Sequence, residues 1–437
     1  MSLTTAETAN VLLALALLLT AAHGLGYIFA WFRQPRVIGE ILGGLLLGPS
    51  CLGYVAPQLE QLAFASDDRV TYPVLGAVYQ LGLLLLMFCS GLEVRSGFRA
   101  GERKTAMAIT VAGTIVPFLL GLLFIRAHAW TGLEVLDLRR FLGPAQSDTA
   151  FLLVFAIAVA VTSIPVISRI MFDLGVLETS FARIVLGAAV VEDIVLYVVL
   201  AVAIGVVGQS PGEVSGVQQL LGISPGSSYA GVYHLVAPVA FFGLFMLIGR
   251  RVFHWIVNFR YNLLIKSSPI GFLILFMLTM TGICVALGVT PMFGAFVAGM
   301  VAGAGSDDAS RPREAIKSFS FAFFVPVYFA IVGFKLDLIH SFEPFFFLIF
   351  LLFACGAKSL SVYYGARLAG EPPPAARHLA VAMNARGGPG IVLASVAYDA
   401  RVISEGFYVI LVMLAIVTSL LAGSYLERVV AGGRPLR

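Results

Sequence analysis

Charge is scarce in this sequence. Only 12% of its 437 residues are Asp, Glu, Lys or Arg, against about 25% in ordinary soluble chains. Twenty-four acids and 28 bases cannot coat the water-facing surface of a chain this long. That excludes a large soluble enzyme, a nucleic-acid binder and a disordered scaffold. Cysteine is sparse as well: Cys51, Cys89, Cys284 and Cys355 stand in or beside apolar runs. No CxxC or Cys/His spacing joins them, which excludes a disulfide framework and a cysteine metal site and leaves buried thiols. The six histidines form no cluster, so a histidine pH sensor is not indicated. The first apolar run has no basic leader and no tidy cleavage site, so it is a retained helix and not a signal peptide. What the chain has in abundance is apolar residues, 59% of the total with a mean hydropathy of +0.96. This is the composition of a polytopic, all-α membrane protein.

A spanning helix needs about 20 largely apolar residues, fewer where it is broken. Reading apolar runs between charged or Pro/Gly/Ser-rich breaks predicts thirteen transmembrane helices. They lie near 8–32, 37–50, 73–94, 104–125, 149–168, 181–208, 231–249, 268–288, 291–305, 318–334, 343–366, 379–399 and 404–427. With loops alternating across the bilayer, one side collects twenty Lys and Arg and the other six. The positive-inside rule then places the C-terminus in the cytoplasm and the N-terminus outside. The sequence stops soon after the last span, so the expectation is a single transmembrane domain over 1–437 with no soluble regulatory domain.

The second and ninth spans are short and glycine-rich. Gly39, Gly44 and Gly48 repeat the spacing of Gly294, Gly299 and Gly303. The third and tenth spans end alike, "MFCSGLEV" with Gly91 and "FAIVGFKL" with Gly333. Small residues at such spacing also serve plain close packing. The shared offset of seven spans is odd, however, so the copies face opposite ways. The expected architecture is two inverted six-helix repeats, near 8–208 and 268–427, joined by a linker helix near 231–249. Inverted repeats carry the substrate site of many secondary transporters at their interface, near the midplane.

The fifth and twelfth spans are then symmetry mates, and both carry helix breakers. One holds Thr162, Ser163 and Pro165; the other holds Asn384, Arg386, Gly387, Gly388, Pro389 and Gly390. Proline removes an amide donor and glycine weakens the helix, so each span should unwind there. Two broken, crossing helices would offer carbonyls to a cation and amides to an anion.

Glu192 and Asp193 stand midway along the sixth span with no charged residue nearer than Arg183. An ionised acid at that depth costs about 2.5–3.5 kcal/mol, and intramembrane acids mark ion pathways. Consecutive helical residues point about 100° apart, so one is expected to face a water-accessible cavity and the other a neighbouring helix. Lys358, alone in the eleventh span, is the candidate charge partner. One lysine against two acids leaves a single negative charge for a proton or a monovalent cation to neutralise. Desolvation favours the protonated acid and a nearby lysine the ionised one. A carboxylate poised between them holds H⁺ or a cation, not both. Arg386, beside the second break, is expected to neutralise exposed carbonyls or hold the broken helices together.

Taken together, these residues resemble the monovalent cation:proton antiporter superfamily, specifically its second branch, the sodium/hydrogen exchanger family. The resemblance covers essentially the whole chain. Its carriers are "QPRVIGEILGGLLLGPS" (Gln34–Ser50), the Thr-Ser break, the acidic pair, "FFVPVYFAIVGFKLDL", mid-span Lys358 and "MNARGGPGIVLA", in the family's order. "SRIMFDLGVLETSFARIVLGAAVVED" is most similar to the plant- and yeast-type exchangers. The resemblance implies that Asp193 is the cation- and proton-binding aspartate and that Glu192 occupies a position usually held by Asp, Asn or Gln. It further implies that Thr162 and Ser163 are the polar residues of the first crossing helix, that Lys358 matches a lysine that pairs with the first acid in electrogenic members, and that the protein is a homodimer. Two departures stand out: the Glu-Asp pair itself, and Gly388, Pro389 and Gly390 where relatives often carry a glutamate.

The function expected is secondary antiport of H⁺ against Na⁺ or K⁺ across a plasma membrane, in the service of pH homeostasis. It requires no enzyme chemistry, cofactor or nucleic acid; its partners are ions, lipid and a second copy. The rivals are a passive cation channel, disfavoured because the polar residues cluster at one depth, and an organic-solute transporter or sensor on the same scaffold.

Overall fold

The computed structural model describes residues 3–32, 34–64, 70–93, 100–132, 137–207, 216–222, 228–259, 261–303, 310–433 and 435–437. Among them the chain is helical, with one isolated antiparallel bridge pairing Leu142 with Ile403. The principal helices are α1 (Thr5–Trp31), α2 (Arg36–Leu47), α3 (Thr71–Glu93), α4 (Ala100–Ile125), α5 (Asp148–Ala160), α6 (Ile164–Asp173) and α7 (Ser180–Val207). After these come α8 (Ser228–Leu244), α9 (Arg250–Asn258), α10 (Pro269–Ala286), α11 (Pro291–Gly303), α12 (Ser310–Phe319) and α13 (Val325–Phe334). The last four are α14 (Pro344–Ala369), α15 (Pro373–Ala382), α16 (Gly387–Asp399) and α17 (Glu405–Ala431).

Eleven segments among the described residues are long and apolar enough to cross a bilayer. The thirteen expected differ from this because two of them, on 149–168 and 291–305, fall on the shorter apolar helices α5 and α11. A 13-residue helix such as α5 rises only about 20 Å, short of a hydrocarbon core of about 30 Å. It is the interruption of the helix after Ala160 that shortens it.

The chain forms two compact units. The first comprises Met1–Leu25, Glu40–Arg95 and Gly208–Leu336, and the second Gly26–Gly39, Ser96–Val207 and Asp337–Arg437. Each draws on both halves of the sequence.

In the first unit, backbone-to-backbone approach through glycine sets the packing. A Cβ on Gly44 would strike the carbonyl of Ala330, and one on Gly333 the carbonyl of Ile41, so α2 lies directly on α13. In the same way a Cβ on Gly299 would strike the carbonyl of Phe88 and one on Gly91 that of Phe296, joining α11 to α3. Gly48 meets Phe334, and Gly303 meets Leu92. Glycines paired by sequence spacing thus make the same contact twice. A π-helical turn, Ser320–Phe324, precedes Pro326. Because Pro326 has no N–H, the carbonyl four residues earlier is spared, and Ala322 O accepts from His23 Nε2 at 3.0 Å.

The second unit holds the broken spans. At the end of the unit formed by α6 and α15 lies an apolar cluster that includes Ile167, Met171, Val185, Ala188, Leu379, Met383 and Leu426. Toward the other end a run of phenylalanines packs ring on ring: Phe141–Phe346 at 4.6 Å, Phe155–Phe350 at 5.0 Å and Phe155–Phe407 at 5.7 Å between centroids. Buried aromatics of this kind anchor helix packing without directional polar bonds. Serine caps start several of the described helices; Ser147, for example, accepts from Ala150 N, Ser268 from Gly271 N and Ser404 from Phe407 N. Gly370, at φ +102°, ends α14 in the left-handed conformation that lets the chain turn at once into α15.

The four cysteines are free thiols; Cys89 and Cys284 are buried, Cys51 and Cys355 partly so.

Candidate functional site

Two interruptions define the site, both within the second unit. The first broken span runs α5, then three extended residues (161–163), then α6; the second runs α15, then 383–386, then α16. Each break leaves carbonyls at one half-helix end and amides at the other without helical partners. The two breaks serve each other. Ser163 N donates to Ala385 O at 2.6 Å, and Thr162 Oγ1 donates to Met383 O at 2.5 Å. Ser163 Oγ in turn accepts from Val166 N at 3.4 Å as the cap of α6. Close crossing requires Gly387, where a Cβ would strike the side chain of Val166. Pro165 is the second residue of α6 and supplies no N–H to the Val161 carbonyl. Gly388 and Pro389 lie, buried, in the first turn of α16, where amides have no helical acceptor, and Gly390 N opens the ladder by donating to Arg386 O at 3.0 Å.

The carbonyl end of α5 is met by two cations. Arg386 donates from Nη2 to Val159 O at 3.0 Å and from Nε to Ala158 O at 3.4 Å, while Lys358 Nζ donates to Ala160 O at 2.5 Å. Three successive orphan carbonyls, at the negative pole of the helix, are thereby capped by positive charge. Arg386 also reaches Ala354 O at 2.9 Å and Asn384 Oδ1 at 3.2 Å, so its fork ties α14 to the second break. Asn384 itself donates to Ser359 Oγ at 2.7 Å and Ala380 O at 2.9 Å.

Lys358, wholly buried on α14, also donates to Glu192 Oε1 at 2.7 Å and to Gly113 O at 2.9 Å. Its three N–H donors therefore have three acceptors, one ionic and two backbone. Glu192 is 1% exposed, and Thr114 Oγ1 lies 3.4 Å from its Oε1. Asp193, the next residue on α7, is completely buried. Against the expectation of one carboxylate in a water-filled cavity, neither acid of the pair reaches solvent in this conformation, because α5, α6, α4 and α16 all pack against α7.

The charge balance differs from the sequence-based one. That balance set Lys358 alone against two acids, but Arg386 is buried in the same cluster and interacts with both Lys358 and Glu192. The four groups together sum to zero when all are ionised. Arg386 is committed to the α5 terminus, which carries about half a negative charge.

Sequence reasoning missed three contributors. Pro117, inside α4, releases the Gly113 carbonyl that Lys358 uses. Thr418 and Ser419 on α17 accept from the Arg386 and Gly387 amides, at 3.4 and 3.1 Å, and so cap α16. The available signal was polar or helix-breaking residues inside strongly apolar spans. Among the described residues no three His, Cys, Asp or Glu side chains converge as a resident metal site would require. The oxygens on hand are carboxylate, hydroxyl and carbonyl, hard ligands suited to alkali cations and protons.

A family model described as the transmembrane sodium/hydrogen exchanger matches residues 14–432. The Na(+)/H(+) antiporter NhaS4 of Synechocystis is 26% identical over 97% of this chain and 98% of its own. Cation/H(+) antiporter 20 of Arabidopsis thaliana is 27% identical over 92% of this chain and 46% of its own. K(+)/H(+) antiporter 1 of Saccharomyces cerevisiae is 27% identical over 90% and 43%. The chain thus spans about half the length of the plant and yeast relatives it matches. The sodium proton antiporter MjNhaP1 of Methanocaldococcus jannaschii superposes with a TM-score of 0.64 at 14% identity, over 97% of this chain and 99% of its own.

Proposed function

The chain belongs to the sodium/hydrogen exchanger family, and on that footing we propose that it is a secondary antiporter exchanging H⁺ for Na⁺ or K⁺ at Asp193. The observation that carries the proposal is the division of labour within the acidic pair. Glu192 is neutralised by Lys358 at 2.7 Å, while Asp193 is buried beside it on the same helix. A buried carboxylate whose neighbour already has its counter-charge is open to competition between a proton and a metal ion. Thr162, Ser163 and the carbonyls around Pro165 supply further oxygens for the cation. Relatives described as Na⁺/H⁺ and K⁺/H⁺ antiporters support the same pair of substrates.

The twice-made glycine contact supports two inverted repeats within thirteen helices, an architecture that suits transport by alternating access. An N-terminus outside and a C-terminus in the cytoplasm fit the charge bias of the loops; a homodimer in the plasma membrane rests on the family resemblance alone. If Lys358, whose three donors are all filled here, stays paired with Glu192 through the cycle, exchange is one H⁺ per cation and independent of voltage; if it also releases its proton, exchange is two H⁺ per cation and voltage-dependent.

The test is transport by the purified protein in proteoliposomes. An imposed pH gradient should drive Na⁺ or K⁺ uphill, which a channel cannot do. Asp193→Asn should abolish exchange while the protein still elutes as a folded species. Exchange retained by that variant overturns the assignment of the site, and failure of either cation to dissipate a preset pH gradient returns the organic-solute reading.

A further inference from the structure

We infer that Pro117 is a positioning residue for exchange: by depriving one carbonyl of its helical donor, it builds the third acceptor that holds the Lys358 ammonium against Glu192. In an uninterrupted α4 the Gly113 carbonyl would accept from the amide of residue 117. Proline has no N–H, and its ring also crowds the carbonyl four residues earlier and turns it off the helix axis. Here that carbonyl is Gly113 O, and it meets Lys358 Nζ at 2.9 Å. The same glycine leaves room for the ion pair: a Cβ at position 113 would lie 3.3 Å from Glu192 Oε1 and 3.6 Å from Lys358 Nζ, and would press on Val362 at 2.8 Å. A released carbonyl and a missing side chain, four residues apart on one helix, thus meet at a single buried ammonium.

The second acceptor, Ala160 O, comes from the interruption after α5. The third comes from an interruption that leaves α4 otherwise continuous over Ala100–Ile125. Elsewhere in the chain Pro326 likewise spares the Ala322 carbonyl, which a histidine takes. At Pro117 the group captured is a charge in the exchange site. Pro117→Ala restores the helical donor, so Gly113 O returns to the α4 ladder and is shared at best. Losing one hydrogen bond to a charged group changes the balance between protonation states by about tenfold or more.

The experiment is a double-mutant cycle between Pro117→Ala and the paired replacement Glu192→Gln/Lys358→Met. It is read in two ways on the full chain: the pH midpoint of Na⁺- or K⁺-driven exchange in proteoliposomes, and the melting temperature in detergent. The inference rests on the proposed exchange reading for the first readout only. With the ion pair present, Pro117→Ala should shift the pH midpoint by about one unit, leave the maximal rate within about threefold, and lower the melting temperature. Without the pair, Pro117→Ala should leave the melting temperature unchanged or raise it, since a proline in a helix then only costs stability. Equal effects in both backgrounds overturn the inference, because the proline would then act through helix shape alone. An unmoved pH midpoint in an exchanging Pro117→Ala variant overturns it too. If the parent protein exchanges no cation at all, the melting cycle still decides the role of Pro117, and the failure belongs to the proposed function.

Discussion

Replacing Arg386 by methionine is the most demanding perturbation of this structure, because methionine keeps much of the volume and removes every donor. The arginine is 1% exposed and feeds Val159 O, Ala354 O and Ala158 O at 3.0, 2.9 and 3.4 Å. Ala354 lies inside α14 and keeps its ladder partner. Val159 and Ala158 do not: α5 ends at Ala160, and Ser163 N is given to Ala385 O. Arg386→Met therefore strands two buried carbonyls, at about 1–3 kcal/mol each. It also removes a cation from the negative pole of a helix, worth up to about 2 kcal/mol where partly buried. The summed loss is roughly 2–8 kcal/mol. Scaled from soluble domains, where 1 kcal/mol moves the midpoint about 2–4 °C, this lowers the melting temperature by at least about 4 °C. Arg386→Lys keeps the charge but not the planar fork, so it should recover part of the loss and part of the exchange. The assay is thermal unfolding of detergent-purified protein beside vesicle transport. A methionine variant melting within a degree or two of the parent would refute the view that Arg386 serves as the cap of α5.

Two further outcomes are expected. Gly44→Ala and Gly299→Ala should cost similar amounts, about 1–3 kcal/mol each by overpacking, since each Cβ would strike a backbone carbonyl at an equivalent contact. Gly76→Ala, with nothing within 4 Å, should be neutral, and comparison of melting temperatures among the three decides. At the end of the second unit, burial pushes the Glu371 carboxyl upward, but Arg437, at 2.7 Å, and Thr105, also at 2.7 Å, outweigh it and hold its pKa below the ordinary 4.5. A lowered pKa contributes stability above the ordinary value that is lost as pH falls through the folded one. The parent should therefore lose melting temperature on acidification below about pH 4.5. Glu371→Gln should start lower at neutral pH and lack that part of the acid limb.

Much of the site was legible as type and spacing. An acid pair and a lone lysine in apolar spans announce themselves, because each is expensive there unless it has a use. The breaks at Thr162–Pro165 and Asn384–Gly390 were legible for a similar reason, since proline and glycine punctuate helices locally. Pro117 was overlooked because a proline within a long apolar run does not reveal which distant group takes the carbonyl it releases. Thr418 and Ser419 were overlooked because hydroxyls can turn back on their own helix, and these do so as well, donating to Leu414 O and Ala415 O.

From residue order alone come the membrane class, the approximate spans, the two interruptions and the family, all of which depend on local hydropathy, local backbone chemistry and motif order. Tertiary packing alone decided that Arg386 joins the charge cluster, that Lys358 spends its donors on two different interrupted helices, and that matched glycines pair α2 with α13 and α11 with α3. Those facts depend on which carbonyl a distant cation reaches. A one-dimensional pattern carries how much charge a span holds, whereas the partner of each charge is set by helices that meet only after the chain has folded.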